Sequence, residues 1–345
     1  MRRTYLRPYL TLKYENNGFA LAAVLWLLAG LTILAAMISQ SNQILAERQA
    51  KLKQRADAEQ AFLSSRSEAL YWLSTSKATE SGYGWSGQYL RVDSRGYAGA
   101  GSSTIQLQDV RGLLNLNRPK RNLLSKLLVS CGADESQTDA LMDALEDYAE
   151  PGKLKRLNGA KDFEYSMASL PPPRGAPLLA EPEIWRVYGW QKLQATWDSR
   201  RCFEDVTVWG DSNFNPGTAT AKALAAYGLT SEQVATVDKE RAVGESTTIN
   251  ALQQSNQANN FLGLPDGRYP GRTLRVTHSM PDMSWVFRYE LKLRSNAEGM
   301  PWELSSPRRI PLASVIMPAG RAEWPKIDQI SDTDKNAITQ PILPF

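Results

Sequence analysis

The chain has 345 residues, with 42% hydrophobic and 22% charged side chains, the proportions of an ordinary globular protein. Its net charge of +4 is too small for a dedicated nucleic-acid surface, which sets nucleic-acid binding aside. It holds two cysteines without C-x-x-C spacing, which argues against zinc, and a single histidine.

The first predicted element is Phe19 to Ser39, 21 positions without a charged residue. A helix of that length spans about 30 Å, the hydrocarbon core of a bilayer. Before it lie residues 1–18, a polar leader with Arg2, Arg3, Arg7 and Lys13 against the one acid Glu15, ending in Gly18. Lys and Arg also follow the span, at Arg48, Lys51, Lys53 and Arg55, so charge asymmetry does not orient it.

From Leu31 to Ser81 there is neither Gly nor Pro, so the helix is expected to continue for roughly 55 residues in all. Leu45, Leu52, Ala56, Leu63 and Leu70 fall on one narrow stripe at 100° per residue. This stripe is expected to pack the second half of the helix on a globular domain. Ser81 to Gly101 is rich in glycine and reads as a loop with one strand near Gln88–Val92, and Thr104–Val110 reads as a strand.

Helices are then expected at Leu123–Val129 and Thr138–Tyr148, with Asp134 to Ser136 as caps, and at Ala180–Trp190. A turn separates them at Leu157–Asp162, and an extended linker at Pro171–Pro177. Phe203–Trp209 reads as extended. Two more helices, Ala219–Tyr227 and Thr230–Arg241, follow Asn213–Thr218, and Gly228 stops the first of them. Residues 244–271 read as loop. Leu274–His278 and the alternating run Trp285–Arg294 read as strands, the second half-buried, and Ile310–Met317 as a last one. The tail from Pro318 is expected to be weakly ordered.

Strands on either side of a helical block give an α+β fold with a helical insertion. The expected division is a leader 1–18, a membrane half 19–39 and an amphipathic half 40–76 of one helix. An α/β core follows, formed by 77–110 and 242–317, with a helical insert 111–241 and a tail 318–345.

A basic leader, then Gly-Phe, then an uninterrupted apolar helix resembles a type IV pilin-class precursor. Four local patterns in order sharpen the resemblance. They are Asp109, Gly112, Asn115 and Asn117; the leucine-rich Leu141–Tyr148 followed by Asn158, Gly159, Ala160 and Asp162; Val187, Tyr188 and Gly189; and Asn213–Ala219, NFNPGTA. Together they resemble the K-type minor pseudopilin of the type II secretion system.

The resemblance implies a pilin-like fold, a long helix packed on a small antiparallel sheet, with a large inserted helical domain. It implies a prepilin peptidase cut between Gly18 and Phe19 with methylation of Phe19, and an inner-membrane protein with a periplasmic body. Implied partners are the I- and J-type minor pseudopilins, the major pseudopilin and the exported proteins. Ala23 stands at the fifth mature position, where most pilins carry Glu. That departure, with the bulk of the insert, implies a subunit at the filament tip. Family members are thought to bind calcium, but the acidic turn after the second helix here reads Asp147–Arg156 with Lys and Arg in place of several acids. The donor set is poor for an ion that needs six to eight oxygens. No other cofactor is implied.

Two readings of Cys131 and Cys202 stand side by side: one disulfide, if the body is periplasmic, or two separate buried thiols. No enzyme signature surrounds His278, and Asp143, Glu146, Asp147 and Glu150 are explained more cheaply as a solvated helix face than as acid–base groups. Two alternatives remain: a minor pilin of a type IV pilus, and a membrane-tethered periplasmic binding protein or enzyme.

Overall fold

In a computed structural model the described residues are 19–85, 88–211, 213–243, 247–251, 269–281, 283–294, 300–305 and 307–325. The leader 1–18, with Gly18, lies outside them, as do most of 244–271 and the tail beyond residue 325. The chain divides into two compact units, Met1–Glu59 and Gln60–Phe345.

The described part of the first unit is helical. Helix α1 runs from Phe19 to Thr75, 57 residues, which the absence of Gly and Pro after Gly30 permits. Its first part has a mean hydropathy of 2.5 over an 18-residue window, long and apolar enough to cross a membrane. Its apolar side chains stand uncovered, Trp26 among them at 81% exposed.

In the second unit, the last turns of α1 lie on a sheet. The buried face is formed by Phe62, Ser65, Ala69, Trp72 and Leu73, and small residues at two of these positions let the helix approach closely. Phe62 is 6% exposed, with its ring 4.5 Å from that of Phe287 and 5.0 Å from that of His278. Leu63, on the expected stripe, is 48% exposed, and Leu45 and Leu52 are exposed as well; of the stripe's leucines only Leu70 is buried. The packing face is therefore turned by roughly a third of a revolution from the leucine stripe.

After α1 come β1 (Lys77–Thr79), β2 (Gly82–Trp85) and β3 (Gln88–Leu90), a small antiparallel sheet. Next are β4 (Asp93–Ala98), β5 (Thr104–Asp109) and a two-residue β6 (Leu114–Asn115). Helices α2 (Arg121–Ser130), α3 (Thr138–Ala149), α4 (Asp162–Met167) and α5 (Gln194–Ser199) follow, then β7 (Val206–Thr207), parallel to β6. Helices α6 (Ala221–Tyr227) and α7 (Ser231–Val243) complete the helical block, with Gly228 ending α6 at φ +118°. The chain returns through β8 (Thr273–Ser279), β9 (Trp285–Leu293), β10 (Trp302–Leu304), β11 (Arg308–Pro311) and β12 (Arg321–Ala322).

The main sheet has the order β10-β9-β8-β5-β4-β12, with β11 also on β9, and is antiparallel except where β12 joins β4. It brings β5, just before the helical block, beside β8, just after it, with Asp109 opposite Leu274. One apolar core lies between α1 and this sheet, and a second fills the helical block around Trp190 and Trp197.

Several expectations are corrected. Phe203–Trp209 is extended only at Val206–Thr207, because Cys202–Glu204 forms a 3-10 turn. Ala180–Trp190 is two 3-10 turns, Glu181–Arg186 and Trp190–Leu193. Strand β9 is buried on both faces: Arg288 and Glu290 are covered as fully as Tyr289 and Leu291. The chain from Pro318 to Pro325 is used, since β12 pairs with β4 and the Trp324 ring meets that of Tyr97 edge-on.

Candidate functional site

The residues singled out in the sequence fall at three places. The first is the start of α1. Phe19 opens the helix and Ala23 lies within its first turns, with no acidic residue in the first turn; both are exposed.

The second is the neck of the helical block. Asp109 is fully buried and accepts from the backbone N–H of Arg111 at 3.0 Å and of Gly271 at 2.9 Å, and from Asn215 Nδ2 at 3.1 Å. The carboxylate thus joins the chain entering the block to the chain leaving it. Asn215 also accepts from the Gly217 N–H, capping the 3-10 turn Pro216–Thr218. Asn117 Nδ2 donates to the carbonyls of Leu178 and Val208, and its Oδ1 accepts from the Leu178 N–H at 2.7 Å. Asn115 Nδ2 donates to the Trp209 carbonyl at 3.0 Å. Each of these side chains satisfies buried backbone groups that would otherwise cost about 1–3 kcal/mol apiece. Gly112 is required here, because a Cβ would lie 2.3 Å from the Thr218 carbonyl oxygen.

The neck is reinforced by ions the sequence reading missed. Arg275 of β8 bonds Glu181 of the block at 2.9 Å and also donates to the Val206 carbonyl. Arg308 of β11 bonds Glu181 at 3.1 Å and Glu290 of β9 at 2.9 Å. Arg288 of β9 grips Glu204 with both Nη atoms, at 2.6 and 3.0 Å. Burial pushes the Glu181 carboxyl up, but Arg275 and Arg308 outweigh it and hold it below the usual range. These pairs explain why the polar face of β9 is buried: it is covered by the block and paired across it.

The third place is the C-terminal end of α3. Its carboxylates do not form a free, solvated face. Arg156 Nε lies 2.7 Å from Glu146, Nη1 2.8 Å from Asp147 and Nη2 2.6 Å from Glu150. Arg121 reaches Asp143 and Glu146, both at 2.8 Å. The Asn158 N–H donates to Asp143, and a Cβ on Gly159 would lie 1.8 Å from Asp147 Oδ2. The Asn-Gly-Ala turn is thus the floor under two carboxylates, and Gly159 is the residue that fits there. The hydrogen bond from Arg156 holds the Glu150 carboxyl below its ordinary value. The donor set does not fit calcium, since its oxygens already accept from guanidinium groups. Among the described residues no group of three or more His, Cys, Asp or Glu is arranged to hold a metal ion.

Cys131, at the end of α2, is bonded to Cys202. Both are buried within the core of the helical block. His278 is buried against Phe62 and Tyr289, and neither ring nitrogen has a hydrogen-bond partner among the described residues. Burial, with the charge of Arg66, pushes its pKa down to about 3, so the ring is neutral. It packs as an aromatic residue, against the rings of Phe62 and Tyr289.

No protein-family model matches this chain, and no curated protein matches it significantly. Among solved structures it is similar to one chain of the GspK-GspI-GspJ complex from the enterotoxigenic Escherichia coli type 2 secretion system. The identity is 16% and the TM-score 0.48, over 76% of this chain and 99% of that one. A likeness of this degree assigns no function.

Proposed function

We propose that the protein is a minor pseudopilin of a type II secretion system, carried at the tip of the pseudopilus, where it initiates assembly and supports export of folded proteins. The observation that carries this reading is the first half of α1: an uninterrupted apolar helix opening at Phe19, directly after Gly18, with Ala23 in the fifth place. In a filament core a carboxylate at that place needs a neighbouring amine as counter-ion, because an unpaired charge in an apolar setting is costly. A subunit with no neighbour above it dispenses with both. The ordered neck residues Asp109, Asn115, Asn117 and Asn215 add support, since they fix a helical block of the bulk expected of a cap.

In this reading α1 anchors the protein in the inner membrane, the body lies in the periplasm, and the partners are I- and J-type minor pseudopilins and the major pseudopilin. The role is mechanical and not enzymatic. The test is the N-terminal residue and mass of the protein from membranes made with and without a prepilin peptidase. N-methylated Phe19, appearing only with the peptidase, is the expected result. An intact Met1 in both membranes, or a cut beyond Ser39, overturns it.

A further inference from the structure

The oxygens at the end of α3 are held by two of the chain's own cations. Glu146 offers Oε2, Asp147 both carboxylate oxygens, and Glu150 both of its own. The main-chain carbonyls of Asp147 and Glu150 turn to the same side and accept from Lys161 Nζ, at 2.5 and 2.8 Å. Calcium binds oxygens of these kinds, but among the described residues no group of three or more acidic side chains is placed to hold a metal ion. All of these oxygens are taken by the chain's own cations. Arg156 takes the carboxylate oxygens through its side chain and its N–H, and Lys161 takes the carbonyls.

We infer that Arg156, seconded by Lys161, is a resident cation that does for the 150–161 loop what a bound metal ion would do, so that the loop holds its shape with no calcium present. Three features carry this. Asp147 is 1% exposed at its side chain and would be an uncompensated buried charge without Arg156. The guanidinium is a planar fork whose three nitrogens each meet a different carboxylate, a spread that the single nitrogen of an ammonium does not offer. The cation and its cage lie close in sequence: Arg156 follows Asp147 by nine residues, so placing the cation also closes the loop. The inference concerns the loop alone and does not depend on the filament reading.

The test is hydrogen exchange of the full chain in detergent micelles, read over peptides covering 150–161, with chelator or with millimolar calcium. In the wild type, protection is expected to be the same in both. In Arg156→Gln the carboxylates of Glu146, Asp147 and Glu150 lose the cation they share. Exchange in the loop is expected to quicken roughly tenfold, by the same factor with chelator and with calcium. Wild-type protection at 150–161 that falls under chelator overturns the inference, and that comparison does not require the variant to fold. An Arg156→Gln loop whose exchange stays at the wild-type rate also overturns it, because Arg156 would then not be what holds the loop.

Discussion

Replacing Phe62 with Ala should loosen α1 from the sheet, whereas replacing its neighbour Leu63 with Ala should do little. Phe62 is 6% exposed and packs on Phe287, with the rings of His278 and Tyr289 edge-on to it. Removing a buried phenyl ring from such a setting costs about 3–5 kcal/mol, the lost transfer energy plus the cavity it leaves. Leu63 is 48% exposed, so its truncation forfeits about half of a leucine's burial, roughly 1 kcal/mol or less. At about 2–4 °C per kcal/mol the first variant should melt roughly 6–20 °C lower and the second within about 4 °C of the wild type. The assay is thermal unfolding of the full chain in detergent micelles, followed by near-ultraviolet circular dichroism, which reports the packing of the aromatic cluster. Equal losses for the two variants, or a larger one for Leu63→Ala, would refute the assignment of the packing face and restore the leucine stripe.

Gly159→Ala should destabilise the helical block by about 1–3 kcal/mol, since the new methyl meets a carboxylate that Arg156 holds in place; an unchanged denaturant midpoint counts against this. Joint replacement of Cys131 and Cys202 by Ala should cost about 4 kcal/mol on the chain-entropy model, because the bond closes a separation of 71 residues; wild-type protein treated with reductant should match the variant. His278→Leu should flatten the stability profile in mild acid. The folded pKa of His278 is pushed from 6.5 down to about 3, so between these values the unfolded state binds the extra proton and folding stability falls as pH falls. At pH 5 the loss is about 2 kcal/mol, and equal pH slopes for wild type and variant would show that His278 is not its source.

What the sequence displayed well was set by local rules. The extent of α1 follows from the lack of Gly and Pro, and α2, α3 and α6 from apolar periodicity and a glycine stop. Strands β5, β8 and β9 follow from alternation. The helix's facing did not follow, because the close contact is made by Ser65 and Ala69, which carry little hydropathy, while the exposed Leu63 carries much. Strand β12 was missed because its pairing comes from distant chain: it joins β4 from more than two hundred residues away, and Gly96 of β4 sits under Pro318.

The polar residues show a sharper division. Asp109, Asn115, Asn117 and Asn215 stand out as a spaced set, yet their task appears only when the block's two ends meet. Glu181 and Arg275 carry no local mark at all; they are 94 residues apart, and in the sequence each reads as a solvated charge. Buried Arg275 and half-buried Arg308 face buried Glu181 and Glu290, two cations against two anions, so the set carries no net charge. Such a set adds little net stability over an apolar packing of the same volume, but any displaced docking strands an unpaired ion at a cost of several kcal/mol. Apolar contacts between sheet and block would tolerate a slide or rotation that this pairing does not. Ions that match in only one arrangement thus fix the angle of the block on the sheet more narrowly than a larger apolar face would.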